Sequence, residues 1–268
     1  MLACLLLTLI AVDRQKLGLW LIAGLAWGAT SLIRPHAAPM AALISIYIFF
    51  TFGWRQSALL ALGVLLCLSP WVIRNYIQLG SPVLFATESG ETLLGSNNRY
   101  VLDDPNFHGM WISPMQVPEY IEHLKPIQNE IARDKEQRRM GMDFLKQNPR
   151  EIPRLVTYKL WRWLTPITNS GGKNRLIVLG SYGVLLVLLF AGIAMRLYKT
   201  SPALWVIVLC SIAMVAITAV YWGNLTRGRL PLEMLWLPWG AYSVTVIWGK
   251  LREWVMPHIS GKLVSKGA

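Results

Sequence analysis

The stretch SPWVIRNY at residues 69–76 marks the point where an apolar chain turns polar, and this change decides the predicted fold. Upstream of it, residues 1–73 are mainly apolar. Downstream, residues 74–175 carry 14 Lys and Arg and 11 Asp and Glu residues, as the surface of a soluble domain does. Apolar sequence returns at residues 176–250. The sequence therefore predicts a polar insert, residues 74–175, between two groups of membrane-spanning helices.

The composition of the 268 residues is typical of a polytopic membrane protein. Hydrophobic residues make up 54% of the chain, charged residues only 15%, and the mean hydropathy is +0.42. A soluble domain has about 25% charged residues. Outside the insert the chain has three acidic residues, Asp13, Glu233 and Glu253. The three cysteines lie in apolar runs without CxxC spacing or a nearby His, which indicates buried side chains rather than a metal site or a disulfide framework.

Six stretches are long and apolar enough for candidate spans, since a hydrocarbon core of about 30 Å needs roughly 20 helical residues. Met1–Val12 is apolar but shorter, and it lacks the basic start and the cleavage site of a signal peptide. We interpret it as the end of a truncated helix. The expected fold is an all-α polytopic membrane protein with about six to seven transmembrane helices and a mixed, mainly helical insert. The candidate spans are Leu17–Ile33, Ala37–Gly53, Ser57–Ile73, Leu176–Leu197, Pro202–Trp222 and Leu230–Gly249.

The distribution of basic residues predicts the orientation. With the insert outside, the inside loops and the tail that includes residues 251–268 hold nine Lys and Arg, and the short outside loops hold three. This arrangement follows the positive-inside bias, so we expect the insert to face the periplasm or another non-cytoplasmic lumen. The expected location is the bacterial inner membrane, with the insert on the periplasmic side. The bias also explains most of the net charge of +12, and basic residues scattered among spans do not indicate a nucleic-acid partner. The three outside arginines, Arg34, Arg227 and Arg229, lie on the side that the bias disfavours. Orientation does not explain them, so we looked for a functional reason.

Within the insert, the sequence predicts loops first and helices later. Gly80–Asn98 contains several turn signals around short apolar pieces, which indicates loops and one short hairpin. Pro105–Pro118 is rich in Pro, Trp and Met and is expected to be irregular. Ile127–Gln147 is charged and helix-prone, with a weak apolar stripe. Pro149–Leu164 has one apolar and one basic face, which favours a helix lying in the membrane interface over a plain soluble helix.

Several short motifs follow one another along the chain. They are GLAWG at 24–28 with LIRP at 32–35, PWVIRNY at 70–76, GSPV at 80–83, GSNN at 95–98, NP at 148–149, YKLWRW at 158–163 and RGRLPLE at 227–233. In their order and spacing they resemble the GT-C type, lipid-dependent membrane glycosyltransferases of family 39 and the dolichyl-phosphate-mannose protein mannosyltransferase-like group. The resemblance covers most of the chain.

The resemblance implies transfer of a sugar from a polyprenyl-phosphate donor to a lipid, glycan or protein acceptor on the non-cytoplasmic face. Members of the group use an acidic residue of their first outside loop as general base. That loop precedes the matched region, so the chain corresponds to the C-terminal part of such an enzyme, and its partners would include the missing N-terminal part. Asp13 is expected in a cytoplasmic loop, so the catalytic residues stay unidentified. No cofactor is expected here; a divalent metal would belong to the full-length enzyme.

Candidate substrate-binding residues lie at the ends of the predicted spans. Arg34 ends a span before a proline, and its planar guanidinium suits a phosphate, although an arginine there can also reach out to the interface. Arg74, Asn75 and Tyr76 start the insert, where they would either contact substrate or anchor the interface. Membrane lipids and the polyprenyl-phosphate-linked sugar are the expected partners.

Two further groups of candidates lie deeper in the sequence. Asn97 and Asn98 would hydrogen-bond sugar hydroxyls or stabilise a turn. Arg227 and Arg229 flank a glycine ahead of a helix expected to begin near Pro231, whose amino-terminal end would favour phosphate. Glu233, one turn beyond Arg229, is expected to orient that arginine rather than to act as a base.

Two other functions fit the composition. A polytopic transporter or flippase would show repeated halves and charges in mid-bilayer, and neither is visible in the sequence. A non-catalytic membrane assembly subunit would need no catalytic acid.

Overall fold

The structure is a computed structural model, and it shows helices and no β-strand among the residues that it describes. The all-α prediction is therefore confirmed for those residues. They divide into two compact units. The first unit contains residues 1–165 and 202–230, and the second contains 166–201 and 231–268. The described ranges are 1–165, 173–195, 201–221 and 226–264, with side chains described up to residue 253 except at 173–175, 226–228 and 231.

Thirteen α-helices are seen in the described ranges, joined by turns, by short 3-10 segments at 114–116 and 149–151, and by a π-helical turn at 179–183. They are α1 (Leu2–Arg14), α2 (Leu17–Ile33), α3 (Ala37–Thr51), α4 (Trp54–Leu79), α5 (Ser89–Ser96), α6 (Arg99–Asp103), α7 (Pro118–Leu124), α8 (Glu130–Gln147), α9 (Ile152–Leu164), α10 (Lys173–Val178), α11 (Val184–Ala194), α12 (Pro202–Val220) and α13 (Thr226–Val264).

The number of long apolar helices corrects the prediction of six to seven spans. Among the described residues, three helical segments are long and apolar enough to cross a membrane: Trp54–Leu79, Leu176–Ala194 and Pro202–Val220. The predicted spans at α2 and α3 form shorter apolar helices of 17 and 15 residues. At 1.5 Å per residue these helices are about 23–26 Å long, less than the hydrocarbon core of about 30 Å. The predicted span Leu230–Gly249 lies within α13.

Helices α2 and α4 pack closely and run parallel. A Cβ atom on Gly24 would overlap the backbone of Leu60, and one on Gly28 would overlap Val64 and Cys67. Because both numbers rise together, the two helices point the same way. Gly63 of α4 meets the backbone of α2 in return. Only glycines permit this backbone approach, which is how apolar helices associate in membranes.

Helices α1 and α3 run antiparallel to this pair. The Trp27 Nε1 atom of α2 donates to Thr8 Oγ1 of α1 at 3.0 Å, and the Cys4 sulfur lies 3.3 Å from Thr30 Oγ1. Ser57 Oγ of α4 donates to the Ser45 carbonyl of α3 at 2.8 Å. The amino end of α2 and the carboxyl end of α3 therefore lie at one end of the bundle, and Arg34 lies at the other.

The insert begins later than the sequence predicts, because α4 continues past residue 73 to Leu79. Gly80 ends the helix in the left-handed region, with φ of 64°, which a residue with a side chain rarely adopts. The buried amide of Asn75 then donates to the Val83 carbonyl at 2.9 Å. This bond fixes the first loop of the insert against the last turns of α4.

The hairpin expected in Gly80–Asn98 is absent from the described structure, in which helix α5 lies within this range and α6 follows it. Asp134 of α8 accepts a hydrogen bond from the Gly90 backbone at 2.6 Å and so caps the first turn of α5. A Cβ on Gly90 would overlap the backbone of α8, and one on Gly141 would press against Leu94. Packing between α5 and α8 thus overrides the local turn signals.

The rest of the insert follows the sequence prediction more closely. Helix α8 covers most of Ile127–Gln147, α9 covers most of Pro149–Leu164, and residues 105–118 form turns with one 3-10 segment. Two apolar clusters form its core. The first consists of Leu94, Val117, Tyr120 and Leu124, and the second of Val101, Leu102 and Leu155 with Phe144 and Leu145 packed against them.

The second unit contains α10, the π-helical turn, α11 and most of α13. Within it, a Cβ on Gly240 of α13 would overlap the Leu185 side chain of α11, so the glycine permits close packing of the two helices. The end of the predicted insert, residues 166–172, lies outside the described residues.

Candidate functional site

Arg34 and Arg74 lie at the same end of the parallel α2–α4 pair. The packing register places Gly28 beside Val64 and Cys67 of α4. Since Arg34 follows Gly28 by six residues, it lies near the level of the α4 turn that leads to Arg74. Both side chains are in exposed residues. The packing of α2 and α4 is therefore compatible with the prediction that both arginines lie at the end of the bundle where the insert begins.

Arg74 is held in place by its neighbours while staying exposed. Its guanidinium carbon lies 5.1 Å from the centre of the Trp71 ring, and Nη1 donates to Asn75 Oδ1 at 3.0 Å. Trp71 in turn donates to the Phe85 carbonyl at 3.1 Å. A cation over an indole face is stabilised by the ring quadrupole. Further guanidinium N–H groups remain for an anion, whereas Asn75 is 2% exposed and is committed to the protein.

Tyr76 is 61% exposed on α4, as an interfacial aromatic side chain would be. The structure gives it no role in holding the loop. Its predicted contact with substrate stays a prediction.

Asn97 and Asn98 are buried at the carboxyl end of α5, where their amides bind protein groups. Asn98 caps α6 by accepting from the Val101 backbone at 3.0 Å, and its amide donates to the Leu94 carbonyl at 2.8 Å. The Asn97 amide donates to the carbonyls of Leu93 and Val220 at 2.7 and 2.9 Å. Of the two alternatives for these residues, the geometry favours the structural one.

The last carbonyls of α12 are capped by the insert. A helix leaves its final carbonyls without partners inside the helix. Here Ser96 Oγ donates to the Tyr221 carbonyl at 2.5 Å, and Asn97 donates to Val220 as described. Lys159 of α9 adds bonds from Nζ to the carbonyls of Ala219 and Val220 at 3.2 and 3.3 Å. We call Ser96, Asn97 and Lys159 together the α12 cap.

Lys159 is the most unusual residue of the α12 cap because its side chain is fully buried. Its third hydrogen bond goes to Asn97 Oδ1 at 2.8 Å, so Nζ has three neutral oxygen acceptors. A cation near a helix carboxyl terminus is favoured by the helix dipole. Burial still lowers the pKa of Lys159 to about 7, because removal of water disfavours the charged amine.

Arg229 is also buried, at 3% exposure, and binds the end of α9. Its Nη1 atom donates to the carbonyls of Trp163 and Thr165 at 3.0 and 3.1 Å. Helix α13 begins at Thr226, so Arg229 lies in its first turn; the expectation of a start near Pro231 is wrong. Arg229 thus joins α13 to α9, while the side chain of Arg227 lies outside the described residues.

Glu233 is half-buried in the part of α13 that belongs to the second unit. Its predicted orienting contact with Arg229 stays a prediction.

Sequence reasoning missed Lys159 and Ser96. The spacing of Leu155, Lys159 and Trp163 carried the signal, because residues four apart share one helix face. The two apolar members are 2% and 1% exposed, and the lysine between them faces the same way. A lysine in the middle of an apolar stripe indicates a buried amine with specific partners.

Other features of the insert have structural explanations. Arg162 of α9 binds the loop that follows α6, where its Nη1 donates to the His108 carbonyl at 2.8 Å. The His108 and Tyr158 rings are stacked with centres 4.3 Å apart. Among the residues that the structure describes, no group of three or more His, Cys, Asp or Glu side chains is suited to hold a metal ion.

Comparison with known proteins gives no relative for this chain: no protein-family model, no curated protein and no solved structure matches it.

Proposed function

We propose that this chain is part of a GT-C-like integral membrane glycosyltransferase that uses a polyprenyl-phosphate-linked sugar as donor. In this proposal its apolar helices lie in the bacterial inner membrane, its insert faces the periplasm, and the acceptor is a lipid, glycan or protein. The exposed guanidinium of Arg74, held over Trp71 where an apolar helix enters the insert, is the observation that carries the proposal. The motif order in the sequence is its other support.

The proposed chemistry is an inverting displacement at the anomeric carbon of the sugar. The acceptor oxygen forms the new bond, the bond to the phosphate oxygen breaks, and the polyprenyl phosphate leaves with its negative charge. Arg34 and Arg74 stabilise that charge as fixed cations at the membrane surface. An acidic residue outside these 268 residues takes the acceptor proton. Arg229, Asn97 and Asn98, whose polar groups bind the protein, position the surrounding helices.

The test compares two arginines at opposite ends of the same helix. Arg74 lies over Trp71, and Arg55 lies over Trp54 with 5.6 Å between guanidinium carbon and ring centre. Binding of a polyprenyl phosphate to the protein in nanodiscs would be measured for the wild type, Arg74→Gln and Arg55→Gln. Loss of charge-assisted bonds to phosphate should weaken binding about tenfold in Arg74→Gln. Arg55→Gln should bind like the wild type.

Equal affinity of all three proteins would remove Arg74 from the proposed site. A second assay separates the alternative functions: vesicles carrying the protein and a labelled polyprenyl-phosphate sugar are analysed for both sugar transfer and lipid movement between leaflets. Movement without transfer would favour a flippase. Binding without either would favour an assembly subunit.

A further inference from the structure

The contact between the insert and α12 depends on a buried amine. Lys159 reaches the end of α12 from α9, and Asn97 reaches it from the end of α5. The α12 cap thus supplies donors to the last two carbonyls of α12, those of Ala219 and Val220, and to the carbonyl of Tyr221 just after the helix. Separation of the insert from α12 would expose these carbonyls and the Lys159 amine to water.

No carboxylate lies within ion-pair distance of Lys159 among the described residues. The neighbouring titratable groups are Tyr158 and Arg162 on α9, His108 stacked on Tyr158, Tyr221 just after α12, and Arg229, which binds the carboxyl end of α9. None of them is a carboxylic acid. A buried cation without a counter-ion is costly, whereas a neutral amine can donate to two of the three acceptors.

We propose that docking of the insert on α12 is reversible and linked to protons: the docked state buries the Lys159 amine, and separation of the insert hydrates the amine and takes up a proton. This inference does not depend on sugar transfer. It makes the membrane-facing position of the insert sensitive to the pH of the compartment in which the insert lies.

The direction of the effect follows from proton linkage. The pKa of Lys159 is about 7 when docked, against 10.5 for a hydrated lysine. Between these values the separated state binds more protons than the docked state, so docking strengthens as pH rises. The ratio of docked to separated protein should therefore increase by up to about tenfold for each pH unit above 7. Below pH 7 the ratio should level off at its lowest value.

The experiment measures docking directly as a distance. Spin labels are attached to cysteines at Gln147 on the insert and Ile212 on α12, both in exposed residues, with Cys67 replaced by Ala. Double electron–electron resonance in nanodiscs gives the fraction of protein at the docked distance from pH 6 to pH 9. The wild type should show a docked fraction that rises with pH. A docked fraction that is constant over this range would overturn the proposal.

Three variants assign the effect to Lys159. Lys159→Met removes the titrating group, and Lys159→Arg keeps a charge that does not titrate in this range, so both should give a flat pH profile. Lys135→Met removes an exposed lysine of α8 and should keep the wild-type profile. If Lys159→Met does not fold, the pH profile of Lys159→Arg alone tests whether Lys159 causes the effect. A wild-type slope in either Lys159 variant would overturn the proposal.

Discussion

The α2–α4 contact and the contact of the insert with α12 achieve close packing by opposite means. In the first, Gly24, Gly28 and Gly63 have no side chains, so the backbones of the two helices come into contact, and no buried charge is involved. In the second, a fully buried lysine and an asparagine fill the space and bond to helix-end carbonyls. Apolar helices can associate by shape alone, whereas a helix end must have its carbonyls satisfied. The difference makes the first contact tolerant of pH and the second sensitive to it.

The largest expected effect comes from filling the α2–α4 contact. Gly24→Ala places a methyl group on the Leu60 backbone, which cannot move as a side chain can, so the helices must separate. We expect a loss of about 3 kcal/mol in the free energy of unfolding, as for severe overpacking. Gly18→Ala is the control on the same helix, because nothing lies within 4 Å of its added methyl. Equal unfolding curves for both variants in detergent would contradict this packing.

A smaller effect is expected from the cap of α5. Asp134 accepts from Gly90 at 2.6 Å and pairs with Arg138 at 2.8 Å, with its side chain 10% exposed. Asp134→Ala leaves the Gly90 donor buried without its partner, which should cost about 2 kcal/mol in unfolding experiments. Asp143→Ala breaks an exposed pair with Arg139 and should cost no more than about 0.5 kcal/mol. Similar losses would mean that Asp134 does not hold α5 on α8.

The asparagine caps provide the next comparison. Asn98 caps α6 from a buried position, whereas Asn129 caps α8 by accepting from Ala132 in an exposed one. Both changes to Ala should destabilise the protein, by about 1 kcal/mol for Asn129 and more for Asn98, which also loses bonds to Leu94 and Gly95. A stable Asn98→Ala protein with impaired sugar binding would instead support the substrate role predicted from the sequence.

The smallest effect concerns acid stability. Hydrogen bonds from Arg139 and His123 lower the pKa of Glu136 to about 2, from 4.5. Its folded pKa is depressed, so its contribution to stability is present above pH 4.5 and is lost as pH falls through about 2. Glu136→Gln should therefore reduce the loss of stability between pH 5 and pH 2, measured by urea unfolding. Glu122→Gln, an exposed change on α7, should leave that loss unchanged.

The difference between local signals and tertiary contacts explains which helices could be predicted from the sequence. Hydropathy located α4, α12 and the segment Leu176–Ala194, because each carries its own apolar signal. Charge and periodicity located α8 and α9 in the same local way. Helix α5 was missed because its cap comes from Asp134, far along the chain.

In the candidate site, too, only local features could be predicted from the sequence. The end of α2 just before Arg34 could be predicted from the sequence because it is a local feature, whereas Arg74 lies inside α4, which continues to Leu79. The partners of Asn97 could not be predicted, because Lys159 and the end of α12 reach it only through tertiary packing. The local sequence does not distinguish an asparagine whose amide is buried from one whose amide binds sugar.

The proposed function requires that the insert and the start of α2 lie on opposite sides of the membrane. Cysteines would be placed at exposed Gln116 of the insert and at exposed Lys16, before α2, in a protein without its native cysteines. A membrane-impermeant maleimide is then applied to intact cells, with and without permeabilisation of the inner membrane. We expect labelling at position 116 before permeabilisation and at position 16 only after it. Labelling in the reverse order, or of both sites from one side, would contradict the proposed orientation.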